Sequence, residues 1–316
     1  MSPSGRNLVA LGRTVVAIAA TACSIGAATS SPATSTAPTD AGPADATTSG
    51  PEVIATGLVE PMVLAVDDGR VFFTQGSGSL SSVSVHGGPI TTLIDRDVMP
   101  NRLALTPDEV LVVLGPDGVV HAIPKAGGSP PRARSGTRVS ALTAAHGTAY
   151  WVEGVADTFV VKSSLEPLGH LLGSANGCCP GTIAATTDRV YVAAISLMSL
   201  PRAGGDITPE PVAGCGSVLA DDAAAYCVNA RPDKVLRVEK NGTTTELTSG
   251  FVALTAAMDD DALYLANDPN GRGTIKKIPK TGGPASVFST EGAHAIAAGA
   301  DAVYAELNGT LRRIPK

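Results

Sequence analysis

The chain has 316 residues, with 23 lysines and arginines against 29 acidic residues, and its formal net charge is −6. No basic cluster is present, which argues against a nucleic-acid-binding protein. No glycine-rich phosphate loop, serine nucleophile elbow or zinc-protease helix motif appears in its proper context. The sequence therefore indicates no cofactor and no metal site, and it excludes the common nucleotide-dependent enzymes.

Residues 1–22 are predicted to be a signal peptide. Arg6 and Arg13 form a basic start, and Thr14–Ala22 is an apolar stretch that ends in the small-residue cleavage pattern Ala20–Ala22. The apolar stretch is too short to span a bilayer. Its removal leaves 21 basic and 29 acidic residues, a formal charge of −8.

Cys23 directly follows the predicted cleavage site, where bacterial lipoproteins carry their lipid. The leucine expected three places earlier is Ala20 here, so a lipoprotein, a soluble secreted protein and a Cys23 removed with the peptide all stay open. Residues 23–50 are rich in Ser, Thr, Ala and Pro and are predicted to be a disordered tether. We expect an exported protein at the outer surface or in the periplasm, membrane-anchored only if Cys23 is lipidated and otherwise secreted.

Residues 51–316 contain a sevenfold repeat. A bulky residue marks the second half of each copy, with spacings of 39, 39, 41, 35, 38 and 40 residues. The seven markers are Phe72, Leu111, Tyr150, Tyr191, Tyr226, Tyr264 and Tyr304. A second marker, a cation before a Gly-Gly turn as in Ile278–Gly283, follows most of them. A period near 40 residues with four short strands per copy predicts an all-β, seven-bladed β-propeller.

Each copy reads as four strands, A to D from the channel outward. Strand A is small and apolar because the innermost strands crowd the axis, and the bulky marker on strand B fills the space between blades. The chain ends after strand C of the seventh copy, while Glu52–Thr56 resembles a strand D without a blade. We therefore predict that this N-terminal strand completes the last blade and covers two exposed sheet edges.

The repeat resembles the YWTD and NHL families of exported propellers, and bacterial exported proteins with similar repeats. Tyr150–Trp151 and Ile278–Lys280 carry the resemblance, which covers residues 51–316. It implies a fold and no particular function, because propellers serve as binding modules, enzymes and scaffolds. No copy contains the full YWTD tetrad, so a receptor-type role is not implied.

Four cysteines remain after the signal peptide, and an exported chain meets oxidising conditions. Cys215 precedes strand A of the fifth copy and Cys227 lies on strand B, which runs back beside it, so we favour a Cys215–Cys227 disulfide. Cys178 and Cys179 then form a vicinal pair, or one of them reaches Cys215. Zinc is disfavoured because the spacing fits no standard site.

Strand direction sorts the connections onto two faces, which we call the turn face (A–B and C–D turns) and the loop face (B–C and D–A loops). The turn face has an inner ring of acidic residues and an outer ring of basic ones. The acidic ring comprises Asp67, Asp68, Asp108, Glu109, Asp188, Asp221, Asp222, Asp259, Asp260, Asp261 and Asp301, and the basic ring Lys125, Arg202, Lys240, Lys280 and Lys316. The rings suit a cation or a docked partner, but ordinary turn chemistry of aspartate explains them more simply.

The loop face has longer and more varied loops, as functional loops tend to be. Six polar residues are candidates for ligand binding around the channel mouth: Glu60, Asn101, Arg102, Arg138, Asn176 and His294. Arg102 and Arg138 suit a carboxylate or a sugar acid. His294 suits general-base chemistry, although a single histidine is more often structural.

Three functions follow from these observations. The first is a monomeric exported binding module that presents its loop face to an envelope protein, a glycan or a peptide. The second is a metal-dependent tunnel enzyme, similar to lactonases or streptogramin lyases, with no catalytic residue that the sequence identifies. The third is a structural scaffold of the envelope.

Overall fold

The computed structural model describes residues 50–316, apart from residues 68, 116–117, 129–131, 136–137, 156, 167–168, 178–179, 231–232 and 268–272. For residues 100, 101 and 155 it describes the backbone alone. Before residue 50 it describes only the backbone of β1 (Ala17–Ile18), which lies parallel to Thr255 and Ala256. The predicted cleavage site, Cys23 and the tether therefore lie outside the described residues.

Seven antiparallel sheets form the seven blades, as the repeat predicts. Blade 1 contains β3 (Pro61–Val66), β4 (Arg70–Gln75), β5 (Leu80–Ser84) and β6 (Thr91–Ile94). Blade 2 contains β7 (Val98–Leu105), β8 (Glu109–Leu114), β9 (Val119–Pro124) and β10 (Arg132–Ala133). Blade 3 contains β11 (Val139–Ala145), β12 (Thr148–Val155), β13 (Thr158–Ser163) and β14 (His170–Asn176). Blade 4 contains β15 (Thr182–Ala185), β16 (Arg189–Ala193), β17 (Ser196–Pro201) and β18 (Thr208–Ala213).

The last three blades follow the same order. Blade 5 contains β19 (Ser217–Ala220), β20 (Ala224–Ala230), β21 (Lys234–Glu239) and β22 (Thr244–Ser249). Blade 6 contains β23 (Thr255–Met258), β24 (Ala262–Ala266), β25 (Ile275–Pro279) and β26 (Ser286–Ser289), with β1 beside β23. Blade 7 contains β27 (Ala295–Ala298), β28 (Ala302–Leu307) and β29 (Thr310–Pro315). No helix in the described part of the chain is long and apolar enough to cross a membrane.

The N-terminal strand closes the ring, which confirms that prediction. The strand β2 (Glu52–Ala55) pairs antiparallel with β29, with Glu52 opposite Arg313 and Ala55 opposite Leu311. It supplies the fourth, outermost strand of blade 7. Ile54 is only 4% exposed, so closure also buries apolar surface that the free strand would leave in water.

The core lies between the blades. All seven bulky markers on the second strands are buried. The innermost strands are small and apolar, as in Ala295–Ala298, and they are buried along their length. Large side chains thus occupy the wide space between blades and alanines the crowded space near the axis, which is the distribution that the sequence predicts.

The two charged rings of the turn face pair with each other across neighbouring blades. A lysine at the end of the third strand of one blade reaches an aspartate in the first turn of the preceding blade, and we call this contact the inter-blade latch. Among the described residues four latches form, Lys125–Asp67 at 2.9 Å, Lys240–Asp188 at 3.0 Å, Lys280–Asp221 at 2.6 Å and Lys316–Asp259 at 2.6 Å. In the fourth blade, Arg202 instead donates to Thr148 Oγ1 at 3.3 Å.

Three of these aspartates, Asp67, Asp221 and Asp259, also cap their own turns. Asp221 Oδ1 accepts the backbone N–H groups of Ala223 and Ala224, both at 2.9 Å. Burial by itself would raise the pKa of Asp221, but the Lys280 ammonium and the N–H groups outweigh it and hold that pKa below its usual value. The stabilisation is therefore present above the ordinary aspartate pKa and is lost as the pH falls below it. The described aspartates and lysines of the latches thus have a structural role, as the turn chemistry of aspartate predicts.

Cys215 and Cys227 form a disulfide in blade 5, which confirms the favoured pairing. Their Cα atoms lie 5.6 Å apart, and Cys227 pairs with Val218 near the start of β19. Both cysteines are buried. A disulfide is compatible with an oxidising compartment. Cys178 and Cys179 lie outside the described residues.

Candidate functional site at the loop-face mouth of the channel

The six predicted candidates do not converge on one point. Arg102 lies in β7, the innermost strand of blade 2, and its burial lowers the pKa of the guanidinium. The backbone of Asn101 lies in the same strand. Arg138 is exposed directly before β11, and its side chain lies against Gly118 of the preceding blade. Asn176 is exposed at the end of β14, the outermost strand of blade 3, and therefore far from the axis.

Glu60 and His294 both lie at the inner ends of loops on neighbouring blades. Glu60 is exposed, has a φ of 44° and precedes β3, and its carbonyl accepts the N–H of Gly76 at 3.0 Å. His294 directly precedes β27, and its backbone N–H donates to the carbonyl of Glu306 at 2.8 Å. Of the predicted set, Glu60 and His294 therefore lie at the loop-face mouth of the channel. Arg102 and Arg138 belong to blades 2 and 3.

His294 has a partner that the sequence did not reveal, the carboxylate of Glu306. The imidazole Nδ1 lies 3.4 Å from Glu306 Oε2, with side-chain exposures of 37% for the histidine and 1% for the glutamate. Glu306 Oε1 accepts the backbone N–H of Gly309 at 2.7 Å. Oε2 faces the imidazole, and no further hydrogen-bond donor among the described residues reaches it. A buried carboxylate behind a half-exposed imidazole is an arrangement that can orient a general base.

Glu306 occupies a position that the other blades fill with uncharged residues. It lies two residues after the bulky marker of β28, and the other six copies have Thr74, Val113, Val152, Ala193, Val228 and Ala266 there. A buried charge costs free energy that an apolar residue at the same place does not. The seventh copy therefore departs from the repeat by placing a carboxylate where the other copies have uncharged side chains.

Glu306 is also tied to the junction between blades 7 and 1. Gly309, whose N–H binds Glu306, accepts the N–H of Leu58 through its own carbonyl at 3.0 Å. A Cβ at Gly309 would lie 2.7 Å from Leu58 O, and its φ is +76°, so only glycine suits this position. Hydrogen bonds through Gly309 therefore connect the Glu306 carboxylate to the segment that leads to Glu60.

Burial raises the pKa of Glu306, and the N–H of Gly309 and the charge of His294 only partly oppose the effect. Because the folded-state pKa lies above the ordinary value of 4.5, the folded chain holds more protons than the unfolded chain between the two values. The contribution of Glu306 to stability therefore falls as the pH rises through that interval.

We expect Glu306→Gln to be more stable than the wild type at pH 7 to 8, by about 1 to 2 kcal/mol, because the buried charge is removed and the amide oxygen still accepts from Gly309. The difference should vanish near pH 4, where the carboxyl group is protonated. Urea unfolding at several pH values measures it, with Glu60→Gln as the exposed control that stays within about 0.5 kcal/mol of the wild type. An equal or lower stability of Glu306→Gln at all pH values would contradict this role.

In the described part of the chain, no three histidine, cysteine, aspartate or glutamate side chains gather as they would around a metal ion. The described residues of the site offer acid–base and hydrogen-bonding groups. Sequence analysis missed Glu306 because its signal is only a departure from the repeat, a charge at a position that is uncharged in the other six copies. Comparison of the seven copies column by column would have found it.

No protein-family model matches the chain, and no curated protein matches it in sequence. Solved structures match its fold. A streptogramin B lyase aligns with a TM-score of 0.66 and 16% identity, over 83% of this chain and 96% of the lyase. A catalytically inactive histidine-to-alanine variant of virginiamycin B lyase from Staphylococcus aureus with quinupristin aligns with a TM-score of 0.66 and 15% identity, over 84% and 98% of the two chains. The WD40 propeller domain of Doa1 aligns with a TM-score of 0.63 and 13% identity, over 84% and 97%.

At such low identities these likenesses concern the fold alone. The chain is a seven-bladed β-propeller of four-stranded antiparallel blades, closed by its N-terminal strand. The solved propellers similar to it include lyases and WD40 domains. The fold is therefore compatible with catalysis and with partner binding. The choice between these two functions depends on the residues of the site.

Proposed function

We propose that the chain is an exported binding module that holds its ligand or partner at the loop-face mouth of the channel, around His294. The observation that carries the proposal is the His294–Glu306 pair. It combines a half-exposed imidazole with a buried carboxylate at a repeat position that the other blades fill with uncharged residues. Buried titratable groups whose pKa is shifted, as that of Glu306 is raised, tend to cluster at functional sites.

The contrast between the two faces supports this choice. On the turn face, lysines and aspartates satisfy one another through the latches, so little of their charge is left for a ligand. On the loop face, Arg138 and Glu60 are exposed, and three exposed aliphatic side chains accompany them. These are Val59, Ile195 and Val252, with exposures of 55%, 76% and 52%. The loop face therefore keeps both charged and apolar groups available to a ligand.

The ligand classes that fit are a peptide, a glycan or a protein of the cell envelope. An exported protein meets these, and the exposed guanidinium of Arg138 suits a carboxylate on any of them. In this proposal, membrane contact arises only through a lipid on Cys23, and nucleic acid is excluded by the negative charge of the chain.

The second candidate is a tunnel enzyme of the lyase or lactonase type, and the same pair favours it. If Nδ1–H faces the Glu306 carboxylate, the Nε2 atom of His294 is the acceptor and can take a proton from a substrate. The virginiamycin B lyase variant that lacks a histidine is catalytically inactive. A lyase of this kind would use His294 as base and Glu306 to orient it.

Both candidates are tested with one set of variants on glycan and peptide arrays, envelope pull-downs, and lactone and lyase assays with added Mg²⁺ or Ca²⁺. We expect His294→Ala and Arg138→Glu to weaken ligand capture at least about tenfold, the loss that one good polar contact explains. Lys240→Glu on the turn face is the matched control and should leave capture unchanged.

The same His294→Ala variant separates the two candidates. Turnover by the wild type that falls about 10²-fold or more in His294→Ala would make the chain an enzyme. Capture without turnover would keep it a binding module. Capture that survives both loop-face variants and is lost in Lys240→Glu would refute the proposal and move the site to the turn face.

A further inference from the structure

The strand β1 lies inside the central channel of the propeller. It pairs in parallel with β23, with Ala17 opposite Thr255 and Ile18 opposite Ala256. Its backbone also lies beside β27, β3 and β7, the innermost strands of blades 7, 1 and 2. A segment beside the innermost strands of four consecutive blades lies near the axis, because these strands line the channel. The chain therefore places one of its own segments in the channel, as an added strand on blade 6.

The inner edge of β23 offers backbone groups that blade 6 itself does not use. The N–H of Asp259, directly after β23, donates to the carbonyl of Ala262 at 3.0 Å. Because the backbone groups of successive residues in a strand point to opposite sides, those of Ala256 and Met258 point away from β24 and toward the channel. Such a row of N–H and C=O groups is a template for a further strand.

The side chain of Thr255 gives a second, independent indication of a ligand on this strand. In blade 4 the equivalent Thr182 accepts the N–H of Val218, on the innermost strand of the next blade, at 2.8 Å. Thr255 is only 2% exposed, yet its Oγ1 has no hydrogen-bond partner in the described part of the chain. A buried hydroxyl without a partner costs free energy that a bound ligand can recover. The residue that lacks a partner is thus one of the two that pair with β1.

The wall of the channel is almost uncharged. The seven innermost strands of the described chain, β3, β7, β11, β15, β19, β23 and β27, contain a single charged residue, Arg102. Alanine is common in them, as in Thr255–Met258 and Ala295–Ala298. A charged side chain on a segment in the channel would lose water without gaining a partner, which is costly. The wall therefore suits an extended peptide with small, uncharged side chains.

The direction of β1 agrees with its connection to the propeller. Innermost strands run from the loop face to the turn face, so β1, parallel to β23, also ends toward the turn face. The strand β2, an outermost strand, begins at the turn face. Residues 19–51, 33 residues, connect the two strands. A chain of that length reaches about 110 Å when extended, whereas a domain of this size has a radius of gyration of about 18 Å. The connection therefore needs no strain.

We infer that the channel is a binding site for an extended, uncharged peptide with small side chains, which adds to β23 as a parallel strand. Residues 17 and 18 of the chain occupy the site while they are attached, and removal of the predicted signal peptide vacates it for another peptide. Backbone hydrogen bonds provide the affinity, and the narrow alanine-rich wall selects small side chains. This inference rests on the proposed binding function and selects the peptide among its ligand classes.

The test compares two full-length chains, made by cell-free synthesis under oxidising conditions so that residues 1–22 are retained. One is the wild type, and the other, which we call the freed chain, carries Ala17→Pro and Ile18→Pro, which remove β1. The probe is a fluorescein-labelled peptide of residues 12–22, measured by fluorescence anisotropy. We expect it to bind the freed chain at least about tenfold more tightly, because the tethered segment of the wild type competes at a high effective concentration. The same peptide with both prolines should not bind.

Ala256→Pro in the freed chain removes a backbone donor from the inner edge of β23 and should weaken the probe at least about tenfold. Ala185→Pro is the matched control in blade 4. The N–H of Thr186 donates to the carbonyl of Arg189 at 2.8 Å, so the N–H of Ala185 also points away from its blade, and the dissociation constant should not change. Circular dichroism establishes folding. Hydrogen exchange gives a readout without a proline in β23, since residues 255–258 should exchange more slowly in the wild type than in the freed chain.

The failure of the channel site and the failure of the proposed function give different results. Equal affinity of the probe for the two full-length chains, with equal exchange at β23, would overturn the inference. Probe binding that survives Ala256→Pro but is lost in His294→Ala would place the peptide at the loop-face mouth, so the channel site fails and the proposed function stands. A freed chain that does not bind the probe also overturns the channel site, and capture by the wild type but not by His294→Ala would still support the proposed function.

Discussion

A chain that starts at residue 57 should fail to fold into the propeller, whereas a chain that starts at residue 50 should unfold like the full-length protein. The shorter chain lacks β2, so blade 7 keeps three strands and β29 presents an unpaired edge. It also loses the buried side chains of Ile54 and Ala55. We expect a loss of at least about 3 kcal/mol, since removal of one buried isoleucine side chain alone costs about 2 to 5 kcal/mol.

Circular dichroism, thermal unfolding and size-exclusion chromatography of the two chains measure this loss. The comparison is sharp because the chains differ by only seven residues, four of which form β2. Aggregation of the shorter chain would agree with an uncovered sheet edge. Cooperative unfolding of the shorter chain at the temperature of the longer one would show that β2 does not close the ring.

Lys280→Met is the substitution for which we expect the second largest effect. The Lys280 side chain is 8% exposed, its Nζ lies 2.6 Å from Asp221 Oδ2, and it stands 5.5 Å from the centroid of the Tyr226 ring. Removing one partner of a buried pair leaves the other charge without compensation, which costs about 3 to 5 kcal/mol. Asp221 and Tyr226 also share a hydrogen bond, at 3.1 Å, so the loss reaches the core between blades 5 and 6.

Lys240→Met is the matched control, because Lys240 makes the same latch with Asp188 but the pair is 40% and 49% exposed. Exposed ion pairs contribute about 0 to 1 kcal/mol. Urea unfolding of both variants at pH 7 should therefore show a large loss for Lys280→Met and a small one for Lys240→Met. Similar losses in the two variants would mean that burial does not set the strength of the latches.

The latches also explain why the repeat has two markers. The bulky residue on the second strand of one blade contacts the cation after the third strand of the next blade, as Tyr226 and Lys280 do. Where the pair is buried, a change in either side chain alone should cost stability at the seam between the blades. In the third blade the cation is replaced by Ser164, whose hydroxyl accepts the N–H of Ala149 at 3.0 Å. That blade has no lysine at the latch position, in agreement with its weaker repeat.

The architecture followed from the sequence because its signals are periodic and local. Seven bulky residues at a spacing near 40 and a Gly-Gly turn after most third strands leave few alternatives to a propeller. The ring closure by Glu52–Thr56 followed from counting strands, and the Cys215–Cys227 pairing from the direction of two adjacent strands. Each of these inferences needed only positions along the chain and the geometry of antiparallel hairpins.

The site depended on tertiary structure for its essential contact. His294 and Glu306 are twelve residues apart, and their side chains meet only because β27 and β28 pair in a register that places Ala295 opposite Glu306. Asn176 was grouped with them on the basis of its face alone, yet radial position is set by strand order, and its strand is the outermost. Sequence by itself determined the number of blades, the closure and the two faces. Which side chains share the mouth, and which carboxylate is buried behind His294, was decided by register and packing, because contacts across strands do not follow from periodicity along the chain.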